Sequence, residues 1–319
     1  ITGRDAAELL DRIYTNAWKS LSVGRCRYGL MLGEDGMVMD DGVTSRLSEY
    51  RYLMTTTTGG AAHVLNWLER WLQTEWPELQ VFLTSVTDRW SVTSIAGPKS
   101  RELLESLSEG IDLSPEAMPF MSFCEGRVAG ITARVFRISF SGEVAYEINV
   151  SADQGLSLWR AVMEAGQHFG ITPYGTDAMH VLRAEKGYVI VGQDTDGSVT
   201  PIDLGMDWIV SKKKDFIGKR SLFRADTARD NRKQLVGLKT EDSTVVLPEG
   251  AQLVNGFSSS RPVPMVGHVT SSYFSATLGR SIALALIKGG RARLGGTVYA
   301  PLLDLSLIHI SEPTRRTPI

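Results

Sequence analysis

One pattern occurs twice in this chain. Gly3-Arg-Asp-Ala-Ala-Glu-Leu-Leu-Asp11 and Gly97-Pro-Lys-Ser-Arg-Glu-Leu-Leu-Glu105 carry a glycine, a glutamate, a Leu-Leu pair and a final acid at matching offsets. Self-similarity of this kind predicts two related α+β halves that face one another. Asp5-Ala-Ala-Glu8 is a capping-box-like start, and Leu9, Leu10, Ile13 and Tyr14 then form the apolar stripe of a short helix. Residues 27–32 and 37–40 read as a hairpin turning through Gly33 and Gly36, and 50–56 as a further strand rich in β-branched residues. Ala61, Val64, Leu65, Leu68, Trp71 and Leu72 keep helical spacing up to a stop at Pro77, and 81–86 and 90–96 read as strands. The second half repeats this logic, with strands 132–140 and 144–150 and helices over 156–169 and 177–185.

The texture changes after a charged stretch. Residues 225–233 read as a linker, and beyond them short runs at 235–238, 252–254, 263–270, 281–287 and 297–299 are separated by glycine, proline and serine. The expectation is α+β lobes over 1–224, divided near 96, and an all-β, barrel-like domain over 234–304. Residues 305–319 continue no strand pattern and resemble translated adapter sequence, so they are set aside as a non-native tail, with the barrel cut short of its closing strand. Ile1 stands directly before a helix entry signal without a methionine, which suggests that upstream residues are missing.

Composition narrows the function classes. With 34 basic and 36 acidic residues among 319, the net charge of -2 gives no electrostatic footprint for nucleic acid, and no apolar run approaches membrane-spanning length. Cys26 and Cys124 lie far apart, without metal-ligand spacing, which fits a reducing, cytoplasmic setting rather than a disulfide framework. No dinucleotide fingerprint, phosphate loop, nucleophile elbow or zinc-protease motif is present, and no two of the five histidines stand at ligand spacing. No metal is expected. Lys212-Lys213-Lys214 reads as a solvated run, or alternatively as a contact for an anionic ligand tail.

The stretch with most chemical content is Gly33-Glu-Asp-Gly-Met-Val-Met-Asp-Asp-Gly42. Neighbouring strand residues point to opposite faces, so Asp40 and Asp41 cannot share a side. One of them can face a cavity, where a carboxylate is costly unless a donor meets it, and a ligand bearing N–H groups is the natural partner. The alternative is that both simply end a strand in solvent.

Six stretches in one order carry a family resemblance: Met39-Asp-Asp-Gly-Val-Thr-Ser-Arg-Leu-Ser-Glu49 with Thr55-Thr-Thr-Thr-Gly59, then Phe136-Arg-Ile-Ser-Phe-Ser-Gly-Glu-Val-Ala-Tyr-Glu-Ile148, Tyr174-Gly-Thr-Asp-Ala178 with Arg183-Ala-Glu-Lys-Gly187, and Val210-Ser-Lys-Lys-Lys-Asp-Phe-Ile-Gly-Lys219. Together they resemble the folate-binding, aminomethyltransferase-like region of heterotetrameric sarcosine oxidase alpha subunits, within the glycine-cleavage aminomethyltransferase family. The resemblance implies three lobes around a central tetrahydrofolate site. It maps Asp41 to the catalytic aspartate beside the folate amine and Glu147 to the pterin-gripping glutamate. Alternation alone would make Glu147 an outward strand residue. Leu53, where the glycine-cleavage enzyme has tyrosine, and Thr55 fall at pocket-wall positions, and Tyr146 and Trp208 are candidate pterin or aminobenzoate neighbours, with core packing as the alternative.

The implied activity is capture of the imine or formaldehyde from flavin-dependent sarcosine oxidation as methylene-tetrahydrofolate. FAD, FMN and NAD are then expected elsewhere in the complex, together with beta, gamma and delta partner subunits. Two alternatives stay open. One is the folate domain of a dimethylglycine or sarcosine dehydrogenase. The other is a non-catalytic folate-binding module that assists iron-sulfur proteins, against which stands Tyr188 where those relatives carry cysteine.

Overall fold

The computed structural model describes residues 1–256, 262–301 and 306–311. Helix α1 (Ala6–Ile13) buries Leu9, Leu10 and Ile13, as the stripe requires. Asp5 does not cap it. Its carboxylate instead accepts the Gln80 backbone N–H at 2.8 Å, because that segment returns alongside the helix start. Strands β1 (Cys26–Leu32), β2 (Val38–Ser48) and β3 (Arg51–Met54) form a three-stranded antiparallel sheet. Gly36 takes a φ of +87° at the hairpin, a conformation that disfavours a Cβ. Helix α2 (Ala61–Thr74) ends three residues before Pro77. The strand expected at 81–86 is reduced to a single bridge between Phe82 and Thr2, since no neighbouring strand offers the rest of that stretch a ladder.

The second lobe is built on the repeated motif. Strand β4 (Trp90–Ala96) leads through Gly97 into α3 (Ser100–Leu107), followed by β5 (Ser108–Glu109), β6 (Ser122–Val128), β7 (Ile131–Arg137), β8 (Ala145–Ser151) and α4 (Gly155–Gly166). Gly3 and Gly97 share left-side backbone angles, φ +132° and +118°, and each carbonyl accepts the N–H three residues on at 3.1 Å. The copies therefore agree in backbone conformation as well as in sequence. The sheet order is β4-β8-β7-β6-β5, with Ile95, Leu103, Leu104, Val135, Tyr146 and Ile148 buried between sheet and helices. Strand β6 was not anticipated, because Glu125, Gly126 and Arg127 interrupt its apolar pattern.

The two sheets meet end to end. Arg25 bridges Ser122, the Cys26 N–H donates to Met121 O at 2.8 Å, and the Phe123 N–H donates to Gly24 O at 3.1 Å. Helix α5 (Thr176–Glu185) then leads into an irregular segment that crosses the middle of the molecule. Its Val199, Leu204, Met206 and Ile209 pack with Leu30 and Leu32 of β1 and with Leu235, Leu284 and Leu286 of the C-terminal domain. This shared cluster joins the first lobe, the crossing segment and the C-terminal domain, while the second lobe keeps a core of its own.

The C-terminal domain is a closed barrel of β9 (Lys233–Thr240), β10 (Gln252–Val254), β11 (Met265–Ser275), β12 (Arg280–Lys288), β13 (Thr297–Ala300) and β14 (Ser306–Ser311), in the order β10-β11-β12-β9-β14-β13. Here the structure departs from the boundary drawn at 304. Pairing runs on through β14, which joins both β13 and β9 and so removes two open strand edges. Most of the expected linker is exposed, and Thr227 and Arg232 are the two of its residues that are buried. Arg232 is buried, donating to both oxygens of Asp203 at 3.1 and 2.9 Å and to Asp226 at 3.1 Å. In the lysine run, Lys212 and Lys213 are exposed, whereas Lys214 donates to the carbonyls of Asp11 and Tyr14 at the end of α1. Burial pulls its pKa down to about 8.

Candidate functional site

Strand register sets the first half of the site. Tyr28 pairs with Val43, Leu30 with Asp41 and Cys26 with Ser45, while Ser45 also pairs with Leu53. Paired residues share a face and alternate ones return to it, so Cys26, Tyr28, Leu30, Asp41, Val43, Ser45, Leu53 and Thr55 lie on one side of the sheet. Asp40 lies on the other side and is fully used. Its Oδ1 accepts the backbone N–H groups of Asp41 and Thr57 at 2.7 and 3.0 Å, and its Oδ2 accepts the Thr57 hydroxyl at 2.8 Å. That pins the chain leaving β3 against β2. Of the aspartate pair, only Asp41 has a carboxylate left for chemistry.

Asp41 is held by the Tyr28 hydroxyl, which donates to Oδ2 at 2.6 Å. Burial raises its pKa to about 6, against the lowering effect of the Tyr28 bond and with a further push from the charge of Asp40. A carboxylate so poised can accept a proton near neutral pH. Leu53 is half-buried on the same face. Thr55 sits opposite Val43, but its hydroxyl donates to the Val43 carbonyl at 2.9 Å and receives the Val43 N–H at 3.1 Å, so it serves the backbone.

The second half comes from β8. Tyr146, Ile148 and Val150 fill the second lobe's core, which turns Glu147 and Asn149 to the opposite face, beside Ser94 and Phe136 on the flanking strands. That face borders the first lobe: burial pushes the Cys26 thiol up to about 11, and the charge of Glu147 adds to the rise. Burial alone raises the pKa of Glu147. Among the described residues neither Asp41 nor Glu147 meets a basic side chain. Asp41 and Glu147 are half-buried, whereas Asn149 is buried and its side-chain oxygen has no partner. A face carrying a half-buried, unpaired carboxylate and a buried amide oxygen two residues on is suited to a ligand with several N–H donors.

Two candidates fall elsewhere. Tyr146 is fully buried, and its hydroxyl accepts from Arg101 Nε at 2.9 Å, so it belongs to the core and cannot touch a ligand. Trp208 is 68% exposed on a turn between Met206 and Ile209, both in the central cluster. Sequence reasoning missed Tyr28 and Asn149. Their signal was alternation: Tyr28 shares a face with Cys26 and Leu30, and Asn149 shares one with Glu147.

The GCVT N-terminal domain family matches residues 1–214, and the glycine cleavage T-protein C-terminal barrel domain matches residues 233–309. The chain is 56% identical over 305 residues to sarcosine oxidase subunit alpha of Corynebacterium sp. (strain P-1), covering 95% of this chain and 32% of that one. The corresponding subunit of Rhizobium meliloti (strain 1021) is 46% identical over 301 residues, 93% of this chain and 30% of the relative. This chain thus spans about a third of the length of those enzyme subunits and is homologous to one region of them. An aminomethyltransferase of Thermotoga sp. (strain RQ2) is 30% identical over 287 residues, 90% of this chain and 74% of that one. The crystal structure of the glycine cleavage system aminomethyltransferase T from Bartonella henselae matches with a TM-score of 0.83 over 99% of this chain and 83% of that chain, at 22% identity. The α+β lobes, the C-terminal β domain and both halves of the sequence agree: this chain belongs to the glycine cleavage T-protein family.

Proposed function

We propose that this region binds tetrahydrofolate between its two α+β lobes and converts the imine or formaldehyde from sarcosine oxidation to methylene-tetrahydrofolate. The observation that carries the reading is a pair of half-buried carboxylates, one from each lobe, that meet no cationic partner among the described residues. Reduced folate supplies the nucleophilic nitrogen. Its pterin presents an amino group beside a ring N–H, a donor pair that a carboxylate at Glu147 can accept, each charge-assisted bond contributing ~1.5–3 kcal/mol. Asp41 orients the reacting amine, accepts its hydrogen bond and offsets the positive charge that develops on it. Leu53 walls the pocket, and the exposed indole of Trp208 is available to the folate tail.

The redox step belongs outside these residues. FAD, FMN and NAD would sit in other parts of a longer alpha chain and in beta, gamma and delta subunits of a cytoplasmic heterotetramer, a context supported by the 56% identity to a sarcosine oxidase subunit. The reading is tested by following methylene-tetrahydrofolate formation from formaldehyde and tetrahydrofolate. Asp41→Asn should lower the protein-dependent rate by roughly 10²-fold, the scale of a lost proton acceptor. A rate equal to wild type would remove Asp41 from the chemistry.

A further inference from the structure

Asp41 and its hydrogen-bonding tyrosine allow a step beyond the folate-capture reading, on which this inference rests. Asp40 is consumed by Thr57 and by the backbone, so Asp41 alone must meet the reacting amine. A lone aspartate side chain has two rotatable bonds and two equivalent oxygens, and nothing in the strand itself decides which oxygen is presented. The Tyr28 hydroxyl decides it by taking Oδ2 at 2.6 Å. Tyr28 is itself well anchored. Its ring packs against the central cluster, its carbonyl accepts the Asn16 side-chain N–H at 2.8 Å, and ladder pairing with Val43 fixes its Cα. The bond therefore runs diagonally across two paired strands, from the residue opposite Val43 to the residue two before it.

We propose that Tyr28 is a positioning residue for one-carbon capture: its phenol holds one oxygen of Asp41 so that the other meets the folate nitrogen and takes its proton. In that step the nitrogen's lone pair forms the bond to the methylene carbon. The π electrons of that carbon pass to the atom it was doubly bonded to, which gains a proton from water, and the N–H proton of the new ammonium passes to Asp41. The phenol keeps its own proton throughout. It also favours the ionised form of Asp41, the form that can accept. The groups whose charge bears on Asp41 are Asp40 on its own strand, Tyr28 on the neighbouring strand and Tyr14 at the end of α1. With no basic group among them, the Tyr28 bond is the main side-chain interaction that opposes burial.

The test replaces Tyr28 by phenylalanine in the full chain, with tetrahydrofolate and formaldehyde as probes. The expected result is a dissociation constant for tetrahydrofolate within twofold of wild type, a turnover at neutral pH lowered tenfold or more, and an upward shift of the midpoint in the rate–pH profile. In an Asp41→Asn background the same replacement should change turnover by less than twofold, because the carboxylate it positions is gone. An unchanged rate and midpoint in folded Tyr28→Phe, or an equal loss in both backgrounds, overturns the proposal and leaves the folate reading standing. Failure of the wild-type chain to bind tetrahydrofolate removes that reading, and this proposal with it. Should Tyr28→Phe not fold, 3-fluorotyrosine at position 28 acidifies the phenol and strengthens the bond, so the midpoint must fall; an unmoved midpoint overturns the proposal equally.

Discussion

At the scale of single residues, Asp41 shows a site working against its own fold. Its pKa rises from an ordinary 3.8 to about 6 because burial penalises the charge. An acid that binds its proton more tightly when folded weakens the fold as pH climbs from its unfolded pKa through its folded one, and below both it has no effect. The loss at neutral pH is on the order of 2–3 kcal/mol. Asp41→Asn should therefore raise the melting temperature near pH 7.5 and leave it unchanged at about pH 4, a difference that thermal melts at the two pH values would reveal. A variant slower in one-carbon capture yet more stable at neutral pH would carry the mark of a functional carboxylate. Much at this scale escaped the sequence. Glu147 does lie off the core face, as alternation demands, but alternation cannot say that this face is turned toward the other lobe rather than to water. Tyr146, read either as a ligand neighbour or as a core residue, adjoins Glu147 in the strand and so points the opposite way, into the core.

Among the elements, the hairpin of β1 and β2 was legible because Gly33 and Gly36 mark its turn and Tyr28, Leu30 and Leu32 keep alternation. Its full length was not. Strand β2 runs on to Ser48 through polar residues whose pairing is decided by β3 and by the backbone rather than by hydrophobic pattern. Gly42 makes that pairing possible: a Cβ there would lie 2.0 Å from the Thr55 carbonyl oxygen, a backbone atom that cannot swing aside. Gly42→Ala should destabilise the protein by about 1–3 kcal/mol, the usual cost of overpacking, and should shift Thr55 away from Val43. Denaturant titration checks the first effect. A loss of tetrahydrofolate affinity, with Asp41 and Glu147 both intact, checks the second. Strand β6 stayed hidden because one of its faces is polar and exposed, and the stretch at 81–86 misled because β-branched composition without a partner strand gives no sheet.

Across the whole molecule, the three-lobe plan was readable from the repeat and from the change of texture after residue 233, while the ties between lobes were not. Arg183 of α5 is fully buried. It binds Asp194, the Tyr188 carbonyl at 3.1 Å and, on the barrel strand β11, the hydroxyls of Ser271 and Tyr273 at 2.7 and 3.2 Å. Asp194 in turn accepts the Thr270 and Ser271 hydroxyls at 2.6 and 2.7 Å. Such a network joins residues distant in the chain, which no local pattern announces. Arg183→Met leaves Asp194 buried without its cation and should cost about 3–5 kcal/mol, whereas Arg183→Met with Asp194→Leu should cost distinctly less. Urea unfolding of the single and double variants measures the difference.

The central claim is that carboxylates from two lobes grip one reduced folate, and calorimetric titration of wild type and Glu147→Gln with tetrahydrofolate tests it most directly. The account predicts saturable wild-type binding and an affinity weakened by roughly 1–3 kcal/mol, about five- to 150-fold, in the variant. Equal affinity in the two proteins would contradict it.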